Sequence, residues 1–319
     1  MPQPTQGDVH VNRPLSNLSI AYMQNALGFV ADKVFPNITV SKQSDVYYIY
    51  DRTFFNRNEM EVRAPSTRSK RIGYEVSTTP YYCPVYAIGH DIADPVRANA
   101  DSPIVLDRDA TQLVSQQGMI KRETLWASKY FGPSIWGTDQ TSGSDWDTAG
   151  DPIPQIRTAK RTVLLATGIE PNTLVLGKQA ADLLLDNAAV VDRVIYGTQN
   201  EVSKVRMSNI AALLEIDRIF VMSAIQNTAE EGAAESNAFI GTGLDALLCY
   251  SAPNPGLMTP SAGYTFSWNG LMGSSAMGGR IKRFRDEPIE SDTIELQMAV
   301  DHKLTAAELG YFFDDVTAA

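Results

Sequence analysis

The chain has 319 residues, 44% of them hydrophobic, which is enough apolar material for a substantial core and enough length for two or three domains. A formal charge of -10 excludes a protein built as a whole to neutralise phosphate, although a local basic patch could still touch nucleic acid. The two cysteines, Cys83 and Cys249, are far apart and outside any CxxC, so reduced, buried thiols are expected. Met1 to Asn12 is polar and carries no secretory signal pattern, and no apolar run approaches the ~20 residues of a membrane span.

Residues 1–40 read as an arm. Leu15 to Phe35 contains a short amphipathic piece (Leu18, Tyr22, Leu27, Val30, Val34) that stops at Pro36. So short a segment cannot bury itself and needs another surface. Residues 41–83 read as an extended β-hairpin loop. Val46 to Tyr50 is an aromatic and β-branched run, echoed by Tyr74, Val76, Tyr81 and Tyr82. Between the two runs, Asn56 to Arg71 is polar and charged. Lys42 to Glu75 holds seven basic and five acidic residues, a small positive excess in an acidic chain. A ribbon of this kind is marginal alone, and loops this long usually carry a function.

Asp107 to Phe131 is predicted as one long helix. Leu106, Ala110, Leu113, Ile120, Ala127 and Phe131 recur at helical spacing, with Gln117 and Thr124 breaking the stripe. Asp107 and Asp109 suit the positive end of the helix dipole and Lys129 the negative end; Gly132-Pro133 terminates it. At 1.5 Å per residue the rod would be roughly 37 Å long. Gly132 to Pro154 is turn-rich and reads as a boundary whose Trp136 and Trp146 need a surface to lie against.

Residues 155–275 have an α/β texture. Helices are expected around Ile156 to Leu164, after Gly177, and over Ile210 to Leu214. Strands are expected at Thr173 to Leu176, at Ile219 to Met222, within Asn237 to Tyr250, and at Tyr264 to Trp268. The tail opens on a tight basic cluster, Arg280, Lys282, Arg283 and Arg285, expected to pair with Asp286, Glu287 and neighbouring subunits. It continues into a strand over Ile294 to Val300 that could return to the long helix.

Nothing in the chain reads as a catalytic, cofactor or metal site. His10, His90 and His302 are scattered, and His90-Asp91 with Asp94 reads as a surface turn closed by Pro95. Ile240 to Leu244 carries only the first two glycines of a dinucleotide fingerprint. Gly177-Lys178 lacks the earlier glycine and the Ser or Thr of a P-loop, and no GxSxG elbow is present.

Taken together, an arm, a polar-tipped hairpin, one long helix, an inserted α/β block and a returning strand resemble the major capsid proteins of tailed bacteriophages, the HK97-type shell fold. The sequence echoes are Val34-Phe35-Pro36, the stretch Glu170 to Gly177 and the stretch Asp245 to Tyr250. The resemblance implies an α+β fold with an N-terminal arm (1–40), an extended loop (41–83), a peripheral domain (84–154 and 276–319) holding the spine helix 107–131, and an axial domain (155–275). It implies a self-assembling icosahedral shell subunit, made in the bacterial host cytoplasm and resident in the virion. That shell would enclose double-stranded DNA without binding it specifically, and would use no cofactor.

By the same likeness the partners are further copies in hexamers and pentamers, a separate scaffolding protein, a portal and, as an open case, a decoration protein. Loop residues Arg63, Arg68, Lys70 and Arg71 would contact neighbours. Arg280, Lys282, Arg283 and Arg285 would lie at an inner surface or between subunits. Some relatives crosslink a loop lysine to a neighbour; Lys42 and Lys70 are available, and the sequence singles out neither. The rival readings are an α/β enzyme without a recognisable motif, and another ring- or tube-forming virion component.

Overall fold

The computed structural model describes residues 24–100, 104–140, 146–147, 150–196, 207–256, 258–272 and 279–317. In chain order the elements are β1 (Asn37–Val40), β2 (Ser44–Tyr50), α1 (Arg52–Phe55), β3 (Val76–Tyr82), β4 (Val85–Ala93), α2 (Asp94–Ala98), α3 (Leu106–Tyr130), β5 (Thr138–Gln140), α4 (Pro152–Thr167) and β6 (Thr173–Gly177). There follow α5 (Lys178–Asp186), α6 (Ala188–Tyr196), α7 (Met207–Leu214), β7 (Arg218–Met222), β8 (Ile225–Asn227), β9 (Asn237–Phe239), β10 (Ala246–Cys249), β11 (Gly263–Trp268), α8 (Asn269–Met272), β12 (Gly279–Asp286), β13 (Ser291–Leu304) and β14 (Gly310–Phe313).

Helix α3 is the long helix expected from the sequence, shifted by one residue, and it has two differently clothed halves. Its first half crosses one face of the β4–β13–β12 ribbon, where Leu106, Ala110 and Val114 meet Ile88, Ile92, Ile294 and Leu296. Its second half, with Trp126, Ala127, Tyr130 and Phe131, packs against Val175, Leu247 and Phe312 of a second sheet. The buried face runs through Ala110, Val114, Gly118, Trp126 and Tyr130, so the expected stripe is rotated: Leu113 is exposed. Thr124 breaks the pattern without harm, because its hydroxyl donates to the Ile120 carbonyl at 2.9 Å within the helix.

The second sheet has the order β5-β14-β10-β6-β7. Strand alternation sends side chains to opposite faces. Val175, Leu247 and Phe312 face α3, while Leu174, Leu176, Ala246, Leu248 and Phe313 face the cluster beneath α4 to α7. Helix α4 starts where Asp151 accepts from the Ile153 N–H at 3.2 Å, with Pro152 in the first turn. It stops at Gly168, whose φ of 77° is the left-handed conformation glycine adopts most readily. Trp146 is buried on Phe313 and Trp136 is buried with its Nε1 donating to the Tyr130 carbonyl at 2.7 Å.

The sheets interleave stretches that the sequence separates. Strand β11 lies within 155–275 yet is bonded to β1 and β13. Strands β5 and β14 lie outside that range yet complete the β10–β6 sheet. An unpaired edge on an apolar strand such as β10 must be covered, and β14 is the strand that covers it. The basic cluster expected ahead of the returning strand is itself part of strand β12, paired along its whole length with β13.

The described part of the arm, from residue 24 onward, finds its surface on its own chain. Leu18 and Tyr22 lie outside the described residues, but Phe29, Val30, Val34 and Phe35 are buried, and Phe35 sits 4.7 Å from the Tyr130 ring. No helix among the described residues is long and apolar enough to cross a membrane. Both cysteines are free and buried.

Candidate assembly surface

The β2–β3 ribbon has two faces of the same texture and only one of them is covered. Antiparallel pairing sets Tyr47 opposite Thr79 and Asp45 opposite Tyr81; on this face Tyr81 stacks on Phe266 at 4.7 Å and Tyr47 lies 5.5 Å from the same ring. The alternate positions, Val46, Tyr48, Val76 and Tyr82, are all exposed. Four large apolar side chains on one face of a two-stranded ribbon leave a contiguous apolar strip in water, the kind of surface a protein partner covers.

Beyond the ribbon, Asp51 caps α1 by accepting from the Thr53 N–H at 2.8 Å. The base of the loop is tied to its own body by Arg52, which donates to the Ala166 carbonyl at 3.1 Å and lies 3.4 Å from Glu308. Further out, every residue from Arg57 to Thr67 except Glu59 is exposed, and Met60 keeps 93% of its surface in solvent.

Of the four loop residues expected to reach a neighbour, Lys70 is engaged inside the loop, 2.8 Å from Glu59 and 2.6 Å from Glu61. The Lys70 hydrogen bond and charge hold the Glu59 carboxyl below its usual range. Arg63, Arg68 and Arg71 pair with no carboxylate among the described residues, which leaves three cations for a partner.

The second basic group divides between faces because it lies on a strand. Arg283 and Arg285 project on the α3 side. Arg283 meets Asp292 at 2.9 Å and Asp107 at 3.4 Å, while Arg285 makes a two-pronged bond to Asp94. Arg97 joins the same network, 2.9 Å from Asp107 and 3.1 Å from Asp292. Asp94 and Asp107 are held well below the ordinary carboxylate range by the guanidinium hydrogen bonds from Arg285 and Arg97.

Arg280 and Lys282 fall on the opposite face, where Arg280 donates to Gln297 at 3.1 Å. The expected partners need correcting: Glu287 lies 3.5 Å from Arg285, but the principal acids are Asp94, Asp107 and Asp292, brought in from β4–α2, α3 and β13 rather than from adjacent sequence. Lys282 pairs with no carboxylate among the described residues.

The chemistry-bearing residues are structural where they are described. His10 lies outside the described residues. His90 is in strand β4 opposite Ile294, not in a turn. His302 is buried with Nδ1 3.0 Å from the Thr265 hydroxyl, and burial takes its pKa down to about 3. Ile240 to Leu244 forms a turn whose Gly243 carbonyl accepts from the Ala180 N–H at 2.9 Å. No group of three metal-capable side chains occurs among the described residues.

Sequence reasoning missed Glu123. It is fully buried on α3, and its carboxylate accepts from the Val30 N–H at 3.0 Å and the Ala31 N–H at 2.9 Å, capping the turn that begins the arm's buried stretch. Burial pushes its carboxyl up to about 7. Beside it Arg122 is buried with Nε and Nη1 unpartnered, and burial lowers its pKa. Neither residue lies on the expected stripe, which passes through Ile120 and Thr124, so the helix's own pattern carried no signal for them.

No family model matches the chain. It is 27% identical to the major capsid protein of Pseudomonas phage JBD67, over 97% of this chain and 98% of that protein. Among solved structures it is similar to a phage-related protein from Bordetella bronchiseptica (TM-score 0.68, 20% identity, 92% of this chain and 93% of that one). It is also similar to the capsid of cyanophage P-SCSP1u (TM-score 0.63, 11% identity, 98% of this chain and 94% of that one). The α+β shell fold expected from the order of parts is therefore the fold of this chain, and the resemblance to phage major capsid proteins holds along its whole length.

Proposed function

We propose that this chain, a capsid-type subunit in sequence and in fold, assembles with further copies of itself into a closed icosahedral shell around the double-stranded DNA of a tailed phage. The observation that carries the proposal is the whole-length likeness to a phage major capsid protein. The uncovered strip of Val46, Tyr48, Val76 and Tyr82 supports it, because that strip and the three unpaired arginines beyond it require a partner surface. The role is structural and non-enzymatic. The protein works in the virion after synthesis in the host cytoplasm, in hexamers and pentamers, with a separate scaffolding protein, a portal and, in some shells, a decoration protein.

In this reading the peripheral domain is residues 84–154 with 276–319, built on α3 and the β4–β13–β12 ribbon, less β5 and β14 and joined by β11. The axial domain is the α/β block of 155–275, less β11 and completed by β5 and β14, and the loop 41–83 overlaps a neighbour. Expression alone and with the scaffolding protein of the same phage tests it by sedimentation and negative-stain microscopy. Hollow closed particles are expected; a protein that stays monomeric under both conditions overturns it.

A further inference from the structure

Arg122 carries a charge that its surroundings do not answer. The residue is 5% exposed, and its Nε and Nη1 have no hydrogen-bond partner among the described residues. Asp32 and Glu123 act on it only through space, and the Glu123 carboxylate is given to the Val30 and Ala31 N–H groups instead. An arginine stays ionised inside a protein, and a buried ion without a counter-ion is costly.

The guanidinium lines a cavity of about 190 Å³ between α3 and the turn of the arm. Phe29, Ala31 and Glu123 are buried on its inner side, while Leu27 and Asp32 are exposed and mark its open side. Half-buried Met119 completes a wall that is mostly apolar around one cation. At about 30 Å³ per water in the liquid, the space suits a molecule of roughly six heavy atoms.

The neighbouring charges decide the sign of that molecule. Lys33 donates to the Ala26 carbonyl at 3.1 Å, and Asp32 stands in solvent. Glu123, with its pKa raised by burial to about 7, is largely neutral below that pH. His302 on β13 feels the Arg122 charge, and its pKa of about 3 keeps it neutral in the same range. Below pH 7 an anion in the cavity would therefore meet a net positive surround.

We propose that this cavity binds a free small carboxylate with a short aliphatic body, its carboxylate on the Arg122 guanidinium and its carbons against Leu27, Phe29 and Met119. Hydrogen bonds to an ionised donor are the strong kind, and the ligand would pin the arm's turn to α3. The site lies within one copy, so it stands apart from the shell reading.

Butyrate is the probe, titrated calorimetrically into the dispersed subunit, with sodium chloride and 1-butanol as controls. One butyrate per chain is expected, with Tm raised by ~2–4 °C near saturation and no shift from either control. Butyrate stays ionised between pH 6 and 8 while Glu123 ionises. Affinity should fall roughly three- to fivefold across that interval, and Glu123→Gln should remove the fall. Arg122→Met, which keeps an apolar stem without the charge, should abolish binding. No saturable binding by the unaltered subunit overturns the proposal, as does an equal shift from 1-butanol, an affinity independent of pH, or full affinity in folded Arg122→Met. Binding that vanishes in assembled particles would assign the seat to an acidic side chain of a neighbouring copy and overturn the free ligand. The controls and the pH series use the unaltered protein, so the outcome does not hang on whether Arg122→Met folds.

Discussion

The indole of Trp136 lies over the backbone of Gly310, so close that a Cβ there would meet Trp136 Cε3 at 2.1 Å. The ring cannot retreat, since its Nε1 is held by the Tyr130 carbonyl and it is buried between α3 and β14. Gly310→Ala should therefore destabilise the subunit by about 1–3 kcal/mol, as overpacking does. Urea unfolding of the dispersed subunit measures it, and an unchanged midpoint would mean that the indole yields.

Glu123 makes stability depend on pH in a defined direction. Its folded pKa of about 7 lies above the ordinary value of 4.5, so its contribution is fully present below pH 4.5 and is lost as pH rises to about 7. Relative to Glu123→Gln, the unaltered subunit should lose about 3 kcal/mol across that window. His302 acts oppositely: with its pKa lowered from 6.5 to about 3, stability is lost as pH falls between those values. The unaltered protein should thus be nearly level where the windows overlap, and Glu123→Gln should uncover a rise with pH. Denaturation series at pH 5, 6, 7 and 8 on both proteins read the difference directly.

Loop cations that lack an internal partner should matter more for assembly than the one that has its own. Replacing Arg63, Arg68 and Arg71 by Ser is expected to lower particle yield ~tenfold, while circular dichroism of the free subunit stays the same. Lys70→Ser should be milder, because its carboxylates lie within the loop. Equal yields from the two variants would argue against a charge-guided contact.

The same exposure predicts a protease difference. Trypsin should cut dispersed subunits at Arg57, Arg63, Arg68 or Arg71 and leave those sites intact in particles. Equal cleavage in both states would show that the loop stays uncovered.

Duplex DNA should not be retarded by the purified subunit at physiological salt. Two of the four cations on β12 are committed to Asp94, Asp107 and Asp292, and too few remain for strong phosphate binding. A tight complex in a gel-shift titration would return the chain to the nucleic-acid-binding proteins.

The spine helix, the hairpin and most α/β elements were legible in the sequence because each has a strong local period or stop signal, such as the apolar spacing of Ile156, Ala159 and Val163 in α4, although that helix begins at Pro152, inside the stretch expected to be turn-rich. The partners of Arg283 and Arg285 were not legible, since Asp94 and Asp107 come from nearly two hundred residues away through the pairing of β4 with β13. The buried face of α3 was misjudged for a related reason. Gly118 is buried there because Leu296 needs its space, and Glu123 because the arm's amides need its carboxylate; neither demand is written in the helix itself. The ribbon's apolar strip was legible as composition, but which face lay uncovered depended on Phe266.

Strand β14 lies between β5 and β10, paired with both, although more than half the chain separates β5 from it. During translation the second sheet must therefore wait, with its β10 edge bare, until residues 310–313 have emerged. Until then the sheet presents a bare apolar edge in place of a finished pairing. The order of strands makes closure of this sheet follow the synthesis of every other described element.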